Sequence, residues 1–340
     1  MCSVSSEFLR RSVLMICVIV VLSLAAAGQS PSGPPSSYPA ATSRIEPTTP
    51  AQEPSGQESS SNDQGMFVFK KQVQEVILHA TVLDQQRHLV TGLDKSAFTV
   101  FENGEPETIT SFRREDVPVA MGIVIDNSGS MRDKRDKVNQ AVMSLIRASN
   151  PQDEIFVVNF SQNYYLDQDF TSDPDLLQAS LNQVSMKGST ALYDAIVASA
   201  VHLKNNPHLD KKVLLVITDG QDNMSQETLQ EAARRLHHVD DPTLYAIGLT
   251  GLGLSGQGRK ALQDLSDLTG GVAYFPNSLD QVNTITNEIA HDVRSQYIVV
   301  YKPKDQGARP SYQSIRVDAR ATGYDHLTVR TRSGYSHGEK

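Results

Sequence analysis

A continuous apolar run, Met121 to Ile125, stops abruptly at Asp126-Asn127-Ser128-Gly129-Ser130, and few folds accommodate that pattern. A run that short and that apolar suits a strand buried on both faces of a parallel sheet. Asp126, Ser128 and Ser130 occupy alternate positions after it. On a turn at the strand's carboxyl end, one carboxylate and two hydroxyls can therefore converge three oxygens on one point. Hard divalent cations take such oxygens, and open α/β sheets hold ligands outside the carboxyl ends of their strands.

The same kind of strand recurs. Residues 119–125, 154–160, 212–218, 243–249 and 271–275 read as strands, with helical patterns between them. Val138, Ala141, Val142, Leu145 and Ile146 fall at helical spacing, as do Leu192, Ala195, Ile196, Ser199 and Leu203. Helices also fit 173–184, 225–238, 257–269 and 279–294. This alternation predicts an α/β fold, a Rossmann-like doubly wound and mainly parallel sheet with helices on both faces, over residues 117–294. Before it, residues 66–116 alternate with a period near two. Val73 to Leu83, Leu89 to Leu93 and Phe98 to Phe101 read as extended, and Asn103-Gly104 marks a hairpin. After it, within a C-terminal extension 295–340, three β segments (295–301, 313–319, 326–331) are expected to pair with that module. The N- and C-terminal flanks would then share one accessory sheet.

The N-terminus reads as a secretory signal over residues 1–27: Arg10 and Arg11, an apolar stretch from Val13 to Leu24, then Ala25-Ala26-Ala27. The stretch is shorter than the roughly 20 residues that span a bilayer, so an anchor follows only if the segment stays uncleaved. A secreted, periplasmic or envelope location is the expectation. Residues 28–65, rich in Pro, Ser, Gly and Thr with Ile45 as the only aliphatic side chain beyond alanine, read as a disordered spacer. Both cysteines, Cys2 and Cys17, lie within the signal, so a cleaved chain offers no disulfide, thiolate metal site or cysteine nucleophile. The formal charge of −8 becomes −9 when Glu7, Arg10 and Arg11 leave with the signal, a net loss of +1. An acidic chain without a basic cluster argues against nucleic acid as partner. Lys134-Arg135 and Arg234-Arg235 are short, flanked by acids, and read as solvated helix faces.

Two more segments match the first. Lys187-Gly188-Ser189-Thr190-Ala191 sets a threonine at the start of a helix, and Thr218-Asp219-Gly220 ends a second buried strand on a carboxylate. Asp126, Ser128, Ser130, Thr190 and Asp219 thus bring five oxygen-bearing side chains from three loops to one sheet edge. In this order the motifs resemble the von Willebrand factor A-type domain with a metal-ion-dependent adhesion site. The flanks, Val90-Thr91-Gly92-Leu93, Phe98 to Gly104, Arg294-Ser295-Gln296-Tyr297 and Arg332-Ser333-Gly334-Tyr335, resemble secreted bacterial proteins described as VWFA-related and abundant in acidobacteria. The resemblance implies that Ser128, Ser130 and Thr190 approach a metal directly while Asp126 and Asp219 act through water. Neutral hydroxyls would leave the cation most of its charge, and the expected sixth ligand is an Asp or Glu carboxylate of a partner protein. Mg²⁺ is the expected ion, with Ca²⁺ or Mn²⁺ able to replace it.

Other readings compete. A lone serine here caps helices or forms turns, and Ser128 and Ser130 stand where caps of a helix from about Met131 would stand. Asp194 reads as an acceptor behind Thr190, and Asp222 as a turn residue. Asp126 to Asp136 is not an EF-hand, since Met131 occupies the required glycine position, and Asp167 to Ser172 fails the same test. Gly251, Gly253 and Gly256 match the dinucleotide fingerprint but follow the fourth strand, so no nucleotide is expected. His237-His238 reads as exposed at a helix end. The chain is expected to bind rather than catalyse. A metal-assisted hydrolase, or an assembly protein binding through its accessory sheet, are the alternatives.

Overall fold

The computed structural model describes residues 75–114, 116–182, 187–206, 208–237, 242–249, 254–304 and 312–336. The expected signal and spacer, the first residues of the β module (66–74), Gly251, Gly253 and His238 lie outside them. Four strands come first: β1 (Val76–Leu83), β2 (Phe98–Glu102), β3 (Glu105–Glu107) and β4 (Ile109–Arg113). Asn103 (φ 52°) and Gly104 (φ 87°) turn β2 into β3. A two-residue hairpin wants both central residues left-handed, which Asn tolerates and Gly adopts freely. Leu89 to Leu93 departs from the extended expectation: only Leu89 bridges to Leu83, while the Leu93 amide donates to the Tyr297 hydroxyl at 2.9 Å.

The alternating region supplies β5 (Val119–Asp126), α1 (Arg135–Ala148), β6 (Glu154–Phe160), β7 (Tyr164–Thr171), α2 (Pro174–Asn182), α3 (Leu192–Lys204) and β8 (Lys211–Thr218). Then follow α4 (Leu229–Arg235), β9 (Thr243–Gly248), α5 (Gly256–Thr269), β10 (Ala273–Tyr274) and α6 (Gln281–Arg294). The sheet runs β10-β9-β8-β5-β6-β7, parallel except for β7, which lies antiparallel on the edge. All eight residues of β5 are buried, as its sequence requires of a central strand. Met121, Ile123 and Ile125 pack towards α1, α2 and α6, while Ala120 and Val124 pack towards α3, α4 and α5. That is the two-faced layering expected. Helix α4 is shorter than its sequence pattern because Thr228 and Glu231 close a reciprocal capping box that starts it late.

Four strands end the described chain: β11 (Tyr297–Tyr301), β12 (Tyr312–Ala319), β13 (Thr328–Arg330) and β14 (Gly334–Ser336). They pair with the N-terminal strands in two sheets rather than one: β13-β1-β11-β4 and β14-β12-β2-β3, both antiparallel. Two sheets form because the inward residues of β1 and β11 need a second layer, which Phe98, Val100, Ile315 and Val317 provide in a third apolar core.

Sheet order fixes where a ligand can sit. From β5 the chain steps to β6 on one side, and later returns through β8 on the other. The loops after β5 and β8 therefore diverge and leave a crevice at their carboxyl ends.

Candidate functional site

Asp126 closes β5 with no exposed surface, and each of its oxygens has a donor: the Ser128 amide reaches Oδ1 at 2.7 Å and the Thr218 hydroxyl reaches Oδ2 at 2.6 Å. Burial pushes this carboxyl above its ordinary value, and the bonds from Thr218 and Ser128 pull against that. Asp219, equally buried, takes the Ser130 hydroxyl on Oδ1 at 2.8 Å and the Lys134 ammonium on Oδ2. The Ser128 and Ser130 hydroxyls lie 3.1 Å apart. Ser130 is exposed, so the cluster opens to solvent at that residue.

Thr190 joins through Gly220. A Cβ on Gly220 would stand 3.1 Å from the Thr190 hydroxyl, so any larger residue would make the loop after Asp219 or Thr190 give by a few tenths of an ångström. Asn223 fixes Thr190 from both sides, its side chain accepting the Thr190 amide at 2.9 Å and its own amide donating to the Thr190 carbonyl at 3.0 Å. All five residues picked out in the sequence thus gather at the crevice, four in one hydrogen-bonded chain and Thr190 beside it.

The capping alternative for the serines does not hold. A short 3-10 turn, Gly129–Met131, precedes α1, and neither Ser128 nor Ser130 caps it or α1 through a side chain. Asp222 does cap a helix, but across a loop: it accepts the Leu192 and Tyr193 amides of α3 at 2.8 and 3.3 Å. Asp194 does not stand behind Thr190; it accepts the Gln226 and Glu227 amides. His237 is packed edge-on against Tyr312, with ring centroids 5.2 Å apart, rather than exposed at a helix end.

Two residues escaped the sequence reading. Lys134 and Arg135 are not solvated: Lys134 enters the cluster and Arg135 is 2% exposed. The Arg135 guanidinium holds the Asn127 side chain and, through Nη2, the Asn159 side-chain oxygen Oδ1 at 2.7 Å; the Asn159 Nδ2 in turn donates to Asp167 at 2.6 Å. Burial pushes Arg135 down to about 10, so it stays charged beneath the Asp126 loop and fixes its path. The helical phase of the basic pair gave no signal of this. A loop of Asp, Asn and Ser just before it, rich in acceptors that a guanidinium can bond, was the only available hint.

Among the described residues no three His, Cys, Asp or Glu side chains gather to hold a metal, so an ion here would rest on hydroxyls with carboxylates behind them. The donor set is all oxygen, which fits a hard cation.

Residues 121–221 match the family model of the von Willebrand factor type A domain. The motif-bearing loops after β5 and β8 and the one carrying Thr190 all fall within this match. Among solved structures, the chain is similar to a von Willebrand factor type A protein from Catenulispora acidiphila (15% identity, 77% of this chain and 73% of that one, TM-score 0.46). It is also similar to proximal thread matrix protein 1 from the mussel byssus with a zinc-occupied MIDAS motif (15% identity, 57% and 50%, TM-score 0.47). A third is BatB from Bacteroides thetaiotaomicron (18% identity, 52% and 99%, TM-score 0.41). The chain spans about half the length of the mussel protein. No curated protein matches it. Among the described residues no helix is long and apolar enough to cross a membrane.

Proposed function

We propose that the type A domain binds a divalent cation, Mg²⁺ in preference, and through it captures an Asp or Glu carboxylate of a partner protein. The chain of oxygens from the Ser128 hydroxyl to that of Ser130, and from Ser130 to the buried Asp219 carboxylate, supports this reading. In it Asp126, Ser128, Ser130 and Thr190 hold the ion and Asp219 anchors its far side. Each hydroxyl can present a lone pair outward while its proton stays on a carboxylate or a neighbouring hydroxyl. The cation's charge then remains to be met from outside, and a carboxylate meets it best. We read the site as one of binding rather than turnover. With an N-terminal signal, the protein would work outside the cytoplasm.

The test is calorimetric titration of the protein with Mg²⁺, Ca²⁺ and Mn²⁺, beside Ser130→Ala and Asp126→Ala. Saturable binding that weakens at least tenfold in both variants, with an unchanged circular-dichroism spectrum, is the expected result. Absence of binding by the parent protein overturns the reading and moves attention to the accessory sheets as an assembly surface.

A further inference from the structure

The cluster already contains a cation of the chain's own. Lys134 lies between the Gly129–Met131 turn and α1, its backbone tied by its amide to the Met131 carbonyl at 2.9 Å and by its carbonyl to the Val138 amide at 3.1 Å. From there its ammonium enters the cluster and bonds Asp219 Oδ2, opposite the Ser130 hydroxyl on Oδ1. The Lys134 side chain keeps 16% of its surface exposed and that of Asp219 none, so the ammonium is inserted rather than resting on the surface. A carboxylate buried this fully needs a compensating charge. Of the two carboxylates in the cluster, that of Asp126 accepts an amide and a hydroxyl, with the Arg135 guanidinium near but not bonded to it among the described residues, whereas that of Asp219 is bonded directly to an ammonium.

Resting on the reading of this cluster as a cation site, we propose that Lys134 is an internal competitor for the divalent ion. The ammonium holds Asp219 when no metal is bound and must leave when one arrives. An ammonium and a divalent ion on the same carboxylate repel each other strongly where little water screens them. Ser128, Ser130 and Thr190 add no negative charge to relieve that. Lysine suits this role because a compact point charge on a flexible four-carbon stem can swing to solvent while its backbone stays fixed. The site is thereby set to low intrinsic metal affinity, and its buried carboxylate is never left bare.

Titration calorimetry with Mn²⁺ and Mg²⁺ on Lys134→Met, Lys134→Arg and the parent protein tests this. Lys134→Met keeps the length of the stem without the charge and should bind the ion about tenfold more tightly than the parent. Lys134→Arg keeps the charge and should bind no more tightly than the parent. Without metal, Lys134→Met should melt below the parent, because Asp219 loses its partner, and Mn²⁺ should raise its Tm by more. Lys134→Gln, which can still donate to Asp219, serves as the uncharged variant if Lys134→Met does not fold. If the parent binds metal and the uncharged variant binds equally or less well, the competitor role is overturned and the cation site stands. If neither binds, both fall together.

Discussion

His79 on β1 stands opposite Ile298 of β11, and its Nδ1 is sealed from solvent without a hydrogen-bond partner among the described residues. Burial, with the charges of Lys211, Arg332 and Arg113 behind it, pushes this imidazole down to about 3. An unfolded chain takes up the same proton near pH 6.5, so between those values the unfolded state holds more protons and stability rises with pH. The contribution is complete above about pH 6.5 and is lost as pH falls through the window towards 3, at about 1.4 kcal/mol per pH unit. Urea midpoints measured from about pH 7.5 down to 5 should therefore fall more steeply for the parent protein than for His79→Gln. Parallel slopes would show that the ring protonates in place. Arg135 makes the contrasting case, a buried charge that keeps its proton because Asn127 and Asn159 accept from it and the Asp167 and Asp126 carboxylates stand near. Neither outcome was legible in the sequence. A histidine alternating with apolar residues and a basic pair after a turn look solvated until distant elements close over them.

At the scale of elements, α6 is the piece that joins the central α/β domain to the flanking sheets. Its Asp292, 4% exposed, accepts the Thr81 hydroxyl of β1 at 2.8 Å, the Tyr245 hydroxyl of β9 at 2.8 Å and the Arg330 guanidinium of β13. One carboxylate thus pins four elements, and burial beside it pushes Tyr245 well above its ordinary value, so that hydroxyl stays protonated and donates. Removing it strands a guanidinium and two hydroxyls together. Asp292→Ala should cost about 3 kcal/mol or more in a urea titration, and Asp292→Asn, which still accepts from Thr81 and Tyr245, should cost less. Equal, small losses in both would mean that water replaces the carboxylate. Elements also show why the fold was readable where it was. Strands β5, β6, β8 and β9 are apolar nearly throughout because helices cover both faces, and that composition leaves little room for another assignment. Strand β7 was invisible for the opposite reason. Tyr164, Tyr165 and Leu166 are about half exposed or more on an edge strand, so no period-two contrast marks it. The site followed the same rule. Asp126 and Asp219 end buried strands, and position alone marked them, whereas Lys134 reaches Asp219 across 85 residues of sequence that no local pattern spans.

For the molecule as a whole, the unusual demand is that its most distant strands be neighbours. Strand β1 pairs with β11 and β13, and β2 with β12, over separations of some two hundred residues. The entropy of closing such a loop grows only slowly with its length, and once the central α/β domain has folded it brings Asp116 and Arg294 together in an ion pair at 2.7 Å. The flanks then meet already aligned. Further bonds tie them to the domain: the Ser333 amide donates to the Leu268 carbonyl in the last turn of α5, and the Ser336 amide to that of His237 beyond α4. Within the central domain, the Lys211 ammonium of β8 caps the Val293 carbonyl at the end of α6, just before the chain enters β11. With polar links this numerous and a shared buried carboxylate at Asp292, the flanking sheets should not open separately from the central one. Hydrogen exchange under conditions that report opening free energy should therefore give peptides from β5 and from β11 the same highest value, lowered equally by urea. Asp292→Ala should lower both together. Exchange of β11 and β12 at a lower free energy than β5, with only the former responding to Asp292→Ala, would instead mean that the flanks fold as a separate unit on a finished domain.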